Sequence, residues 1–189
     1  MSNAHHTSEQ VLFSRQFANP TRETFSCPPI GGFVRRYLGN SRVSVDPFAR
    51  NKRWATYTND INPQTAAEYH MDAEDFLKHL VKQGLAGQID LGILDPPYSP
   101  RQITECYKEF GKVASMTDTQ NAVLYSRVKA ALVPLLSPDA VVLSFGWNSA
   151  GMGPGFDRIE LMLVSHGAAH NDTICVAERR NIDQIRMFA

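Results

Sequence analysis

The stretch Asp90-Leu-Gly-Ile-Leu-Asp-Pro-Pro-Tyr98 decides the fold of this chain. Its apolar residues, together with the preceding Ile89, form a run of strand length that two prolines end abruptly. This pattern predicts a buried parallel strand. Open α/β sheets bind their ligands outside the carboxyl ends of such strands. The sequence therefore places candidate chemistry at Asp95 and the residues that follow it.

The residues after this strand offer a defined set of polar groups. Prolines stiffen the backbone and have no N–H, so the Asp95 carboxylate and the Pro96 carbonyl form a fixed pair of hydrogen-bond acceptors. Such a pair suits an exocyclic amine. Tyr98 adds a flat face on which an extruded base could stack. The alternative interpretation is a strand that simply ends in a proline turn.

The four residues Asp95-Pro96-Pro97-Tyr98 resemble the catalytic motif of the amino-group DNA methyltransferases, specifically the adenine-N6 enzymes that use S-adenosylmethionine. The resemblance covers roughly residues 28–180. It implies an α/β fold, with a single Rossmann-like domain whose mainly parallel sheet closes with a C-terminal antiparallel hairpin. It also implies catalysis by these four residues without a metal ion.

The half of the chain before this strand resembles the cofactor-binding half of that family. A strand predicted over 42–46 ends in Asp46-Pro47-Phe48, and a second strand, over 54–58, is followed by Asp60. A carboxylate at this place suits the hydroxyls of a ribose. Further on, Asp72 either meets the adenine of the cofactor, with Ala73 beside it, or caps the helix predicted next. The resemblance thus implies an S-adenosylmethionine site lined by Asp46, Pro47, Phe48, Asp60, Asp72 and Ala73.

One segment departs from the family pattern. Where the family has a glycine-rich turn after its Asp-Pro-Phe, this chain has Arg50-Asn51-Lys52-Arg53. Glycines let a backbone approach a ligand closely. Side chains at these positions would either force a different loop path or crowd the methionine end of the cofactor.

The remaining pattern predicts one domain of alternating helices and strands. We predict an irregular N-terminal arm over 1–26 and a methyltransferase domain over 27–189, with a turn at 137–139. The predicted helices cover 28–39, 73–83, 100–110 and 119–136, and the further strands cover 140–145, 156–165 and 173–179.

Two later segments leave a choice open. Trp147 lies in a glycine-rich loop, where it either offers a second face to a base or is buried against the core, and we favour burial. His166 and His170 either belong to a metal site or lie in a polar hairpin loop, and we favour the loop.

Composition limits the function classes. The chain has 189 residues, 43% of them hydrophobic, and 19 Lys+Arg balance 19 Asp+Glu. With no net charge, any nucleic-acid contact needs a local basic patch. Three distant cysteines and the lack of a long apolar stretch favour a reducing, cytoplasmic setting without a membrane anchor. Three short basic runs are candidates for such a contact: Arg35-Arg36, Arg50 to Arg53, and Arg179-Arg180. The predicted patch contains Arg50, Lys52, Arg53 and Arg101.

The sequence thus predicts an adenine-N6 DNA methyltransferase, similar to small phage or prophage members without an evident target-recognition domain. A second identical subunit or an accessory protein would supply the missing recognition surface. Two alternatives stay open: an RNA amino-methyltransferase, and a degenerate, non-catalytic protein that binds nucleic acid or a partner. A methyltransferase for small molecules is less favoured.

Overall fold

The computed structural model describes residues 10–97, 121–167 and 170–182. These residues form one seven-stranded sheet with the order β1-β6-β7-β5-β4-β2-β3. The strands are β1 Leu12–Phe17, β2 Ser44–Asp46, β3 Tyr57–Thr58, β4 Ile89–Leu94, β5 Leu136–Gly146, β6 Phe156–Ser165 and β7 Thr173–Arg180. The helices are α1 Pro28–Leu38, α2 Ala73–Lys82 and α3 Asn121–Leu132, with short 3-10 helices at Thr24–Ser26 and Val133–Leu135.

The sheet has the predicted mixed character. Strands β3, β2, β4 and β5 pair in parallel, whereas β7 is antiparallel to both β5 and β6. The predicted α/β class, the mainly parallel sheet and the C-terminal antiparallel pair are therefore confirmed. Because β2, β3, β4 and β5 run in the same direction, their carboxyl ends meet at one edge of the sheet. The predicted division into an arm and a domain stays a prediction.

Helices cover both faces of the sheet. Alternation along β5 directs Val142 into the core under α2 and α3, and directs Leu143 into the core under α1. Helix α3 packs so closely on β4 that a Cβ at Gly92 would lie 3.0 Å from Leu132 Cδ2. Burial on both faces explains why β4 is a continuous apolar run.

The N-terminal segment corrects one expectation. We predicted an irregular arm, but Leu12–Phe17 forms the edge strand β1, parallel to β6. Both ring nitrogens of His166 hydrogen-bond near the end of this strand, Nδ1 with Ala18 O and Nε2 with Thr173 Oγ1, each at 2.9 Å. Since most side chains of β1 are exposed on both faces, its sequence lacks the alternation that identifies a half-buried strand.

The helices agree with their predicted positions within a few residues. Helix α1 begins at Pro28 and α2 at Ala73, while α3 ends at Leu132, before a 3-10 turn. The turn predicted at 137–139 is wrong, because these residues belong to β5 next to a register shift in its pairing with β4. The helix predicted over 100–110 lies outside the described residues. In the described ranges, no helix has the length and hydropathy that crossing a membrane requires.

Candidate active site at the carboxyl edge of the sheet

The candidate site is assembled where β2, β3, β4 and β5 end. The register pairs Val45 with Gly92, and Leu94 with Ser144. Strand β2 ends at Asp46, and β4 ends one residue before Asp95. The parallel register therefore brings the predicted cofactor half and the predicted catalytic half to a common edge.

Asp46 is a buried carboxyl group at the centre of this edge. Its side chain is 2% exposed, and Oδ1 accepts a 2.9 Å hydrogen bond from the Phe48 N–H. Burial raises its pKa well above the ordinary value, and the negative charges of Asp95 and Asp60 raise it further, against the lowering effect of the Phe48 hydrogen bond. Predicted residues from three strand ends are thus close enough to interact. Such a cluster of acids favours a positively charged ligand.

Asp60 is held by the backbone of two loops. Its Oδ1 accepts from Asn62 N at 2.8 Å, and its Oδ2 accepts from Arg50 N at 3.1 Å. Burial raises the pKa of this carboxyl, while the two backbone hydrogen bonds and the nearby Arg50 and His70 side chains oppose the rise. The Asp60 carboxylate is therefore fixed at the end of β3, where the sequence predicted it.

Asn59 connects the strand-end loops, although the sequence pattern does not indicate this role. The side chain is fully buried, and Nδ2 donates to both Pro47 O and Met71 O at 3.1 Å. Its Oδ1 accepts from Met71 N at 2.9 Å. One amide thus links the loop after β2 to the segment before α2. The only signal in the sequence is its place between a strand and Asp60, which does not reveal these distant partners.

The loop at 50–53, which lacks glycine, contains a backbone conformation that glycine adopts easily. Arg50 has φ +50°, the left-handed conformation, and is exposed. Its guanidinium donates to Arg22 O at 3.3 Å, and Lys52 Nζ lies 3.6 Å from Glu23 Oε2. Asn51 Nδ2 also donates to Glu23, at 3.4 Å. These contacts tie the loop to the segment before α1.

The two interpretations of Asp72 have different outcomes. Its carboxylate accepts a 3.0 Å hydrogen bond from Glu74 N, so Asp72 is the N-cap of α2. The capping interpretation is confirmed, whereas its contact with an adenine stays a prediction. Ala73 begins the helix and is 7% exposed. Both residues follow Met71, which Asn59 holds.

The catalytic motif is described up to Pro97. Pro96 is buried, while Asp95 and Pro97 are half-buried, and Tyr98 lies outside the described residues. The charge of Asp95 contributes to raising the pKa of the Tyr125 hydroxyl and of the Cys175 thiol, although burial is the larger cause in both. Asp95 therefore lies near the ends of β2 and β5, the start of β7 and helix α3.

A cleft of about 560 Å³ lies between α3 and the end of β5, and Ser144 on its wall pairs with Leu94, the residue before Asp95. Tyr125 and Lys129 line it from the helix, and Ser144 and Trp147 line it from the strand and the loop after it. Trp147 is 44% exposed, so the favoured expectation that it is buried against the core is wrong. The Trp147 indole therefore lies at the rim of the cleft.

Several cations of the predicted basic runs already have partners in the molecule. Arg36 makes two 2.8 Å hydrogen bonds to the Glu160 carboxylate, and Arg35 stacks over Trp54 at 5.2 Å. Lys52 is paired with Glu23, and Arg101 lies outside the described residues. The basic patch predicted for nucleic acid is therefore partly engaged in intramolecular contacts.

Comparison with known proteins places the fold. No family model matches this chain, and no curated protein matches its sequence. One similar solved structure is Burkholderia thailandensis 1,6-didemethyltoxoflavin-N1-methyltransferase with bound 1,6-didemethyltoxoflavin and S-adenosylhomocysteine; its TM-score is 0.51 at 12% identity, over 82% of this chain and 77% of that chain. Another is yhhF from Escherichia coli, described as a candidate methyltransferase, with a TM-score of 0.44 at 11% identity over 86% and 88%. The first likeness shows that the chain has a Rossmann-like methyltransferase fold.

Proposed function

We propose that this protein is an S-adenosylmethionine-dependent methyltransferase that modifies the exocyclic N6 amine of adenine in DNA. The observation that carries the proposal is the placement of Asp95-Pro96-Pro97 at the carboxyl end of β4, beside the buried Asp46 and the half-buried Asp60. Ligands of parallel α/β sheets bind at this edge. The resemblance of the motif to that of the adenine-N6 enzymes is the reason for proposing adenine as the substrate.

The residues at the ends of β2 and β3 fit the proposed cofactor. S-adenosylmethionine carries an ammonium and a sulfonium group, and the acids at this edge favour cations. Among the described residues, Asp46 accepts a single hydrogen bond, on Oδ1, which leaves Oδ2 for a ligand. Asp60 would accept from ribose hydroxyls, and Pro47, Phe48, Asp72 and Ala73 would complete the site. When bound, the cofactor supplies an electrophilic methyl group.

Replacing Asp46 with asparagine should separate folding from cofactor binding. Asparagine keeps an oxygen for the Phe48 N–H but removes the carboxyl group whose ionisation burial opposes, so we expect a higher thermal midpoint at pH 7. A hydrogen bond to a charged group contributes about 1.5–3 kcal/mol, so the affinity for S-adenosylmethionine should fall about tenfold or more. Calorimetric titration and thermal unfolding measure the two effects.

The pH dependence provides the control for this substitution. Because folding raises the Asp46 pKa, the unfolded chain releases this proton first, and ionisation destabilises the native state as pH rises from about 4 through the native pKa. The difference in midpoint between Asp46→Asn and the parent should therefore grow over that window. Unchanged cofactor affinity in the variant would contradict the assignment of Asp46.

The catalytic residues act on the amine of the substrate. An adenine amine is a weak nucleophile because its lone pair is delocalised into the ring. Hydrogen bonds from this amine to the Asp95 carboxylate and the Pro96 carbonyl localise the lone pair on nitrogen and stabilise the charge that develops there. Tyr98 would hold the flipped base by stacking, and the Trp147 indole is a second flat face at the rim of the cleft.

Methyl transfer itself tests the proposed function. Purified protein is incubated with S-adenosylmethionine and adenine-containing duplex DNA, single-stranded DNA or RNA, and the nucleosides are then analysed by mass spectrometry. We expect N6-methyladenine in DNA. A product only in RNA would establish the RNA alternative. No product in any nucleic acid, despite cofactor binding, would support the degenerate, binding-only alternative.

The recognition of DNA requires surface beyond the described basic residues. The chain has no net charge, and part of its predicted patch is engaged within the molecule. We therefore propose that a second copy of the chain or an accessory protein completes the recognition surface. Light scattering with and without a DNA duplex measures this, and a strict monomer that discriminates a site of six or more base pairs would contradict it.

A second candidate is methyl transfer to a free heteroaromatic amine. The engaged cations favour it, because a small substrate needs no phosphate-binding patch. The similar B. thailandensis structure holds bound 1,6-didemethyltoxoflavin. The same acceptors, Asp95 and Pro96, would serve such an amine. Methylation of free adenine or adenosine at a rate above that of DNA would favour this candidate.

A further inference from the structure

The cleft between α3 and the end of β5 contains polar groups that the proposed methyl transfer does not use. We call it the Ser144 cleft, after Ser144 on β5, and its other polar side chains include Lys129 and Asn148. Its volume of about 560 Å³ falls within the range typical of small-ligand sites. The cleft is therefore large enough to hold part of a substrate.

The buried hydroxyl of Ser144 is the first observation that indicates a ligand. Its side chain is 6% exposed, and its hydroxyl has no hydrogen-bond partner within residues 10–97, 121–167 and 170–182. Leaving a buried hydroxyl without a partner costs about 1–3 kcal/mol. A hydroxyl kept at this cost on the wall of a cleft indicates an acceptor group that arrives with a ligand.

Lys129 gives the cleft its charge. Its ammonium donates to Gly151 O and lies 5.6 Å from the centre of the Tyr125 ring. Among the described residues this is its one hydrogen-bond acceptor, so two of its three donors remain for a ligand. The nearby Glu178 carboxylate is shared with Arg158, whose guanidinium lies 3.9 Å away. Burial lowers the pKa of the Lys129 ammonium, and the Glu178 carboxylate opposes this effect. Lys129 and Arg158 are thus two cations near one carboxylate behind the cleft.

The cleft adjoins the proposed reaction centre. Ser144 pairs with Leu94, the residue before Asp95, and the charge of Asp95 reaches Tyr125 on the cleft wall. A substrate whose amine meets Asp95 can therefore extend into the cleft. In an adenine nucleotide, the group that carries the negative charge beyond the ring is the phosphate.

We propose that the Ser144 cleft is a phosphate subsite, in which Lys129 and the Ser144 hydroxyl bind the phosphate attached to the adenine substrate. The inference rests on the proposed function and specifies its substrate class as adenine nucleotides, in a strand or free, and not adenine or adenosine. Lys129 supplies the charge and Ser144 the directed hydrogen bond.

Calorimetric binding tests the subsite without relying on turnover. Adenosine and adenosine 5′-monophosphate are titrated into the protein with and without S-adenosylhomocysteine. We expect the monophosphate to bind about tenfold more tightly than adenosine, and Lys129→Met to abolish this preference. Lys82→Met, at the exposed end of α2, is the matched control and should retain it. Equal affinity for the two compounds, or a preference that survives Lys129→Met, would overturn the inference.

Ser144→Ala distinguishes a ligand contact from a structural role. Because the hydroxyl has no partner among the described residues, its removal should leave the thermal midpoint unchanged or higher, yet weaken monophosphate binding about threefold. A lower midpoint with unchanged binding would show that Ser144 is structural and overturn its part in the subsite.

A final experiment distinguishes the two possible sources of the phosphate, a DNA strand and a free nucleotide. A short adenine-containing DNA strand is compared with one in which the phosphate beside the adenine is a neutral methylphosphonate. If the methylphosphonate weakens binding to the parent protein but not to Lys129→Met, the cleft binds a phosphate of the strand. If only the monophosphate binds, the ligand is a free nucleotide. Absence of methyl transfer with the subsite intact would reject the proposed function alone, and methyl transfer without any phosphate preference would reject the subsite alone.

Discussion

Asp95→Ala is expected to lower the rate of methyl transfer about a hundredfold or more, while S-adenosylmethionine affinity changes by less than about threefold. The physical reason is that the Asp95 carboxylate contacts the substrate amine, and losing one preorganised group that stabilises developing charge typically has an effect of this size. Single-turnover kinetics at saturating cofactor measure the loss, and calorimetry measures the affinity.

A conservative variant and a control variant make the Asp95→Ala test more specific. Asp95→Asn keeps the shape and one oxygen acceptor but removes the charge, so its activity should lie between those of the parent and of Asp95→Ala. Asp139→Ala removes an exposed carboxylate at the start of β5, far along the strand from the site, and should retain full activity. Near-parental turnover of Asp95→Ala would show that the assigned mechanism is wrong.

Asn59→Ala should cause the largest loss of stability. The substitution leaves Pro47 O and both backbone groups of Met71 without the partner they have in the fully buried amide. With about 1–3 kcal/mol for each unsatisfied buried group, partly recovered by relaxation, we expect the free energy of unfolding to fall by about 2–4 kcal/mol. Urea unfolding measures this change.

Cofactor binding should respond to the same substitution. Asn59 holds together the loop after β2 and the segment before α2, which carry Asp46 and Asp72. Even at a temperature where Asn59→Ala is folded, we therefore expect at least tenfold weaker binding of S-adenosylmethionine. The control Asn40→Ala removes an exposed amide that donates to Arg36 O, and it should affect neither property. Parental affinity in folded Asn59→Ala would refute the positioning role.

Some elements could be predicted from the sequence and others could not, for physical reasons. Strand β4 and helix α2 were predicted because the pattern of each is local: a fully apolar run, and apolar residues at helical spacing after a capping Asp72. Strand β1 was missed because it is exposed at the sheet edge, where no burial pattern constrains its sequence. Trp147 was assigned to the core because aromatic residues are usually buried there, yet the loop leaves it at the rim.

By itself, the sequence determined the α/β class, the parallel β4 and the presence of acids after successive strands, because burial periodicity and capping depend on neighbours along the chain. Only the tertiary structure decided that Asp46, Asp60 and Asp95 interact, that Asn59 joins two loops, and that Ser144 lies unpaired among the described residues on a cleft wall. Those properties depend on the register of parallel strands and on packing between distant segments. Burial removes the water that would otherwise solvate these carboxyl and hydroxyl groups, so that they favour a ligand that satisfies their hydrogen bonds.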